Sequence, residues 1–174
     1  MEKYLNTPID RETASTLKVG DTVYITGEMY VARDAAHKRL FELILEGKPL
    51  PIDLKNETVY YMGPSPAREG RAIGSAGPTT SSRMDKYTPA LLELGLTVMI
   101  GKGRRSEEVK RSAREHGAVY LAAVGGAGAL LSECIVGSRI VCYEDLGAEA
   151  IRRIKVKDFP CIVALDAEGN DIYA

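Results

Sequence analysis

No run of about 20 apolar residues occurs in this 174-residue chain, so no segment of it is suited to span a bilayer as a helix. The amino terminus, Met1-Glu2-Lys3-Tyr4-Leu5-Asn6, lacks the apolar core of a secretory signal. The expectation is a cytoplasmic protein that starts at its own initiator methionine. Cysteine is scarce. The three present, Cys134, Cys142 and Cys161, form no CxxC pair, so the chain is not expected to hold a metal cluster by itself. Cys142 and Cys161 lie in apolar, strand-like runs and read as small buried hydrophobes, and an odd count in a reducing compartment needs no disulfide. An excess of one charge is also missing. With 23 Lys plus Arg against 24 Asp plus Glu, the net charge is −1, which argues against general nucleic-acid binding. The short basic runs Lys102-Gly103-Arg104-Arg105 and Arg152-Arg153 read as solvated faces. Two phosphate-binding patterns are absent as well, GxxxxGK[ST] and GxGxxG, which removes the common nucleotide sites.

What is present is a hydrophobic content of 45% and a length suited to one domain over residues 1–174. Val23-Tyr24-Ile25 reads as a strand ending at Gly27. Ala36, Leu40, Leu43 and Ile44 fall on one face of a helix from about Arg33 to Glu46, stopped by Gly47. Val59 to Met62 is a second strand, followed by Gly63-Pro64-Ser65-Pro66 and a glycine-rich loop. A helix around Tyr87, Leu91 and Leu94 closes at Gly95, and Thr97 to Ile100 is a continuous apolar strand of the kind covered on both faces. Ser106 caps a helix ending at Gly117, and Val119 to Ala122 is the next strand. This alternation specifies βαβ units and a parallel sheet. Gly125-Gly126-Ala127-Gly128 turns into another helix, with either a ligand or tight packing to explain its glycines. Short strands follow at Ile135–Tyr143, Ile154–Val156, Ile162–Asp166 and Asp171–Tyr173, with a hairpin turn at Glu168-Gly169-Asn170. The fold class is therefore α/β, a parallel sheet with a second, partly antiparallel layer.

The chemistry concentrates in Gly74-Ser75-Ala76-Gly77-Pro78-Thr79-Thr80-Ser81-Ser82-Arg83-Met84-Asp85. Hydroxyls and backbone N–H groups donate hydrogen bonds there, and the arginine can fork onto a carboxylate or phosphate. One of these hydroxyls is expected to cap the helix that follows. Asp85 is an alternative partner for Arg83. A second helix start carries Arg33, Asp34 and, one turn on, His37. A carboxylate there would meet free N–H groups, unless Asp34 pairs with Arg33 or caps the helix itself. A lone histidine at such a position has structural as well as functional uses. Lys102 stands between Gly101 and Gly103 at the carboxyl end of an apolar strand, where open α/β sheets bind ligands. Two arginines at two helix starts point to a ligand with two anionic ends.

Gly-Pro-Thr-Thr-Ser-Ser-Arg-Met-Asp at 77–85, with Arg-Asp-Ala-Ala-His at 33–37, resembles the iron–sulfur class I fumarate hydratases. The likeness is to their β subunit, or to the carboxy-terminal domain of the single-chain forms, and the related tartrate dehydratase β subunit shares the motifs. It extends through Gly101-Lys102-Gly103 to Asp158-Phe159-Pro160. The resemblance implies a three-layer swivelling β/β/α domain. It implies reversible hydration of fumarate to (S)-malate, with dehydration of L(+)-tartrate or plain dicarboxylate binding as alternatives. It implies a [4Fe–4S] cluster held by a partner α subunit, in an αβ or α2β2 assembly, with this chain inactive alone. By the same resemblance Arg33 and Arg83 hold the substrate carboxylates, Lys102 completes the anionic pocket, and Thr79 is the base at C3 of malate. Asp34, His37 and Thr80 are the remaining substrate-binding motif positions.

Overall fold

Val98, Met99 and Ile100 are all fully buried, and this triplet shows how the chain is layered. Side chains alternate across a strand, so Val98 and Ile100 join one apolar core while Met99 joins another. Val119 and Leu121 divide from Tyr120 in the same way, and Tyr60 and Met62 from Val59 and Tyr61. The first core also takes Val23, Ile25, Ile154, Val156, Phe159 and Cys161 from other strands. The second takes Ala36, Leu40, Leu91, Leu92 and Ala113 from helices. Each large side chain so buried contributes about 1.5–3 kcal/mol. The first core is thus built mainly by strands, with Ala14 among its members, and the second by strands and helices together.

The computed structural model describes residues 1–62, 76–124 and 131–174. Strands β1 (Glu2–Asn6), β2 (Thr22–Val31), β3 (Thr58–Tyr60), β4 (Val98–Gly101) and β5 (Val119–Ala123) run parallel in that spatial order. Between them the chain forms α1 (Arg11–Ala14), α2 (Asp34–Leu45), α3 (Thr88–Glu93) and α4 (Glu107–His116). Strands β6 (Ile135–Cys142) and β7 (Ile151–Leu165) follow, and β7 pairs antiparallel with β5, β6 and β2. The circuit β2–β3–β4–β5–β7–β2 therefore closes on itself. Ser106 accepts a hydrogen bond from the Val109 N–H and caps α4, and Gly117 ends it with φ +69°.

Several expectations change. The parallel and antiparallel strands belong to one seven-stranded network among the described residues, because β7 has 15 residues and reaches both β2 and β5. It absorbs the two short strands expected at Ile154–Val156 and Ile162–Asp166. Strand β2 continues past Gly27, which takes φ +127° at a register shift; a Cβ there would lie 2.1 Å from Thr7 Oγ1. Asp171–Tyr173 forms no strand, only an isolated bridge from Asp171 to Leu165 across the expected turn. Cys161 is buried, whereas Cys142 is only half-buried. The basic runs are not simple solvated faces. Arg105 is buried, and Arg153 pairs with Glu57 at 2.6 Å while lying over the Tyr30 ring. Strand β1 and helix α1 had no counterpart in the sequence reading. The helical turn expected at Gly125–Gly128 and the loop after Met62 lie outside the described residues. No helix among those described is long and apolar enough to cross a membrane.

Candidate functional site

Three strand ends build the site. The carboxyl end of β2 delivers Arg33 as the residue before α2, and the Ala32 N–H donates to the Tyr60 carbonyl at 3.2 Å to fix that exit. Past β3, the Thr79 N–H donates to the Tyr61 carbonyl at 2.8 Å, so the threonine loop returns across the same edge. At the end of β4, Lys102 pairs with Thr80 in a parallel bridge, and the Ser81 N–H donates to the Lys102 carbonyl at 2.9 Å.

Side chains lock these loops together. The Lys102 N–H donates to Ser81 Oγ at 3.0 Å, and Ser81 Oγ lies 2.8 Å from the Tyr120 hydroxyl, which donates to the Gly103 carbonyl at 2.8 Å. Tyr120 spends its one proton on Gly103, so Ser81 is the donor to Tyr120 and the relay has a single direction. Gly101 is required beside it: a Cβ would stand 2.0 Å from Ser81 Oγ and 2.8 Å from the Tyr61 ring. The expected cap is not made. Thr80 precedes a 3₁₀ turn over Ser81–Met84 without capping it through its side chain, and the Ser81 hydroxyl serves the relay instead.

Arg83, on that turn, donates from Nε to Asp34 Oδ2 at 2.8 Å. Arg33 Nε lies 4.0 Å from the other oxygen of the same carboxylate. Two arginines from loops about fifty residues apart thus converge on Asp34, and Asp34 sits between them rather than serving Arg33 alone. The expected alternative, Asp85 on Arg83, does not form. Asp85 takes Arg105 Nε at 2.7 Å and the Ser106 N–H at 2.8 Å. The helix start is not free either, because the Ala35 N–H donates to Glu149 Oε1 at 3.1 Å.

His37 lies behind this cluster, 1% exposed, rather than on its surface. Its Nδ1 is 2.7 Å from the Arg33 carbonyl, an acceptor, which makes Nδ1 the protonated nitrogen. Its ring meets Tyr61 edge-on. Burial drives its pKa down to about 4, the Arg33 carbonyl opposing and the charge of Arg105 assisting, so the ring is neutral at pH 7. Arg33 Nε, Asp34 Oδ1 and His37 Nε2 are buried without hydrogen-bond partners among the described residues. In contrast, Arg83, Lys102 and Thr80 are exposed and Thr79 is half-exposed.

Arg105 is the residue that sequence reasoning missed. It is 6% exposed, paired with Asp85, bonded to the Tyr61 hydroxyl at 3.2 Å and Thr88 Oγ1 at 3.1 Å, and lies over the rings of Tyr61 and Tyr120. Burial alone would lower its pKa, but Tyr61 and Asp85 outweigh that and hold it above the usual arginine value. One signal was available: Tyr120 stands inside an apolar strand buried on both faces, and a buried hydroxyl demands a polar neighbour. A cavity of about 700 Å³ opens beside Arg83 and Lys86, but Glu107 and Glu108 line it and Arg33 and Lys102 do not. It is therefore a poor receptacle for a dianion. No group of three or more His, Cys, Asp or Glu that could hold a metal ion occurs among the described residues.

The arrangement concentrates cationic and donor groups at one edge of the sheet, suited to grip and orient an anion with carboxylates. The Fumarase C-terminus family profile matches residues 2–174. Fumarate hydratase 2 of Leishmania major is 39% identical over 98% of this chain and 31% of its own length. Fumarate hydratase class I, anaerobic, of Escherichia coli (strain K12) is 40% identical over 97% of this chain and 32% of its own. The chain thus spans about a third of the length of these relatives. A putative L(+)-tartrate dehydratase subunit beta of Methanocaldococcus jannaschii is 35% identical over 98% of this chain and 91% of its own length. The chain belongs to the fumarase C-terminal family.

Proposed function

We propose that this chain is the β-type half of a class I hydro-lyase that reversibly adds water to fumarate to give (S)-malate. The observation that carries the reading is the convergence of Arg33 and Arg83 on one carboxylate, at an edge that also presents Lys102. Malate and fumarate are C4 diacids. Two guanidiniums and an ammonium offer both the charge and the forked geometry that two carboxylates require.

In the dehydration direction a proton leaves C3 and hydroxide leaves C2. Loss of that proton builds negative charge on the adjoining carboxylate, and an arginine fixed in advance against that carboxylate lowers the barrier. Arg33 and Arg83 hold the two ends of the diacid, Lys102 neutralises charge between them, and Thr80 borders the pocket. Thr79 faces C3 as the proton acceptor. A neutral hydroxyl is a weak base, so Thr79 gives up its own proton as it takes that of C3, and the proton leaves with the C2 hydroxide as water. His37 supports the Arg33 backbone from below and does not touch the diacid.

The family resemblance brings with it a [4Fe–4S] cluster. The described residues of this chain do not fit one, since they offer no ligand set; the reading assigns the cluster to a companion α-type polypeptide, and no step above passes through it. Site residues at an exposed edge suit a pocket closed by such a companion. The same reading carries a cytoplasmic location, a single domain over the chain and the three-layer β/β/α arrangement. The two cores, one between strands and one between strands and helices, support that layering.

A second reading, the β subunit of an L(+)-tartrate dehydratase, is favoured by one observation: the putative L(+)-tartrate dehydratase subunit beta is 35% identical over 98% of this chain. Anaerobic co-expression with the cluster-bearing companion, followed by assay on fumarate, malate and tartrate, decides between them. The first reading expects malate and fumarate to interconvert. Turnover of tartrate alone replaces it with the second.

A further inference from the structure

We infer that Asp34 is a positioning residue, whose carboxylate sets the orientation of the Arg83 guanidinium, and of Arg33 beside it, before a diacid arrives. This rests on the diacid reading of the site. Asp34 cannot itself be a good ligand for a carboxylate, because like charges repel at contact distance. It is, however, the one described group that touches both arginines. Arg83 sits on a short turn with its side chain 52% exposed, and an arginine so placed is free to sample many rotamers. The bond from Nε to Asp34 Oδ2 removes that freedom. It occupies the inner edge of the guanidinium and leaves both terminal nitrogens without a hydrogen-bond partner among the described residues. Those two nitrogens form the end-on fork that matches a carboxylate.

The place of Asp34 in the fold suits it to this role. It is the first residue of α2, where the helix dipole favours an anion. Neutral His37 below supplies no cation to draw it inward. Arg33 Nε, buried and 4.0 Å from Asp34 Oδ1, is held in register by the same anion rather than by a formed hydrogen bond.

Two measurements test this, one of which needs no catalysis. In 1H–15N spectra of the chain alone, the Arg83 Nε–H signal is assigned by its loss in Arg83→Lys. It should exchange slowly with solvent in the wild type and at least about tenfold faster in Asp34→Ala, with Asp34→Glu partly restoring it. In the companion-reconstituted enzyme, Asp34→Ala should lower kcat/KM for malate about 10- to 100-fold, chiefly through KM, with an unchanged circular dichroism spectrum. Asp34→Asn, which keeps shape and an acceptor oxygen, should fall between the two. Unaltered exchange of the Arg83 Nε–H in Asp34→Ala overturns the inference, as does a wild-type KM in that variant. If the wild-type pair turns over no diacid, the proposed function fails, and the exchange measurement still decides whether Asp34 holds Arg83.

Discussion

Replacing Arg105 by methionine should destabilise the protein by about 3 kcal/mol while leaving its fold recognisable. The magnitude follows from what the guanidinium does. Breaking a buried ion pair by removing one partner costs about 3–5 kcal/mol, because the other charge is left uncompensated. Here Asp85 keeps the Ser106 N–H and 12% exposure of its side chain, which places the loss at the lower end. Methionine fills most of the volume between the Tyr61 and Tyr120 rings, so no large cavity adds to the cost. For a domain of this length about 3 kcal/mol corresponds to a melting point lower by about 6–12 °C. Thermal and urea denaturation of Arg105→Met against wild type measure it. Arg105→Lys, which keeps charge but not the fork, should lose less. Adding Asp85→Asn to Arg105→Met should cost less than the two single effects combined, since no lone charge then remains. A melting point within about 1 °C of wild type for Arg105→Met would refute the assignment of Arg105 as the hub beneath the site.

Acid should unfold the protein through His37. Its folded pKa of about 4 lies below the unfolded value of 6.5, so the unfolded chain binds the extra proton first. The stability is fully present above pH 6.5 and is lost progressively as pH falls toward 4, a change on the order of 3 kcal/mol. Urea midpoints from pH 7 to 4 should show it, and His37→Phe should flatten that part of the profile; an equal slope in the variant removes His37 as the cause. Gly101→Ala should destabilise by about 1–3 kcal/mol, because its Cβ would collide with Ser81 Oγ and the Tyr61 ring. It should also weaken the Thr80–Lys102 pairing, read as faster amide exchange at Ser81; unchanged exchange would show that the relay does not hold that loop.

The parallel part of the fold from β2 to β5 was readable because each of its βαβ units carries its own local marks. The boundaries of α4 follow from Ser106 and Gly117, whose side-chain acceptor and positive φ act within a few residues. The circuit closed by β7 was not readable. It depends on pairing Ile154 with Met29 and Cys161 with Ala123, and nothing local to Ile154 or Cys161 encodes partners so distant. Gly27 misled for a related reason: it permits a bulge as readily as a strand end, and only the Thr7 side chain against it decides. At the site, Arg33, Arg83 and Lys102 were legible as charged groups at strand and helix boundaries. Their partners were not. Whether Asp34 or Asp85 takes Arg83 turns on which loop comes nearer, and Arg105 claims Asp85 first because burial makes an unpaired guanidinium too costly.

The proposed function is tested most directly by the activity of Arg83→Lys in the enzyme reconstituted anaerobically with the cluster-bearing companion that this proposal assigns. Lysine keeps the charge and removes the fork, so kcat/KM for malate should fall at least about 100-fold with the fold and the assembly intact. Malate turnover at the wild-type rate in that variant would contradict it.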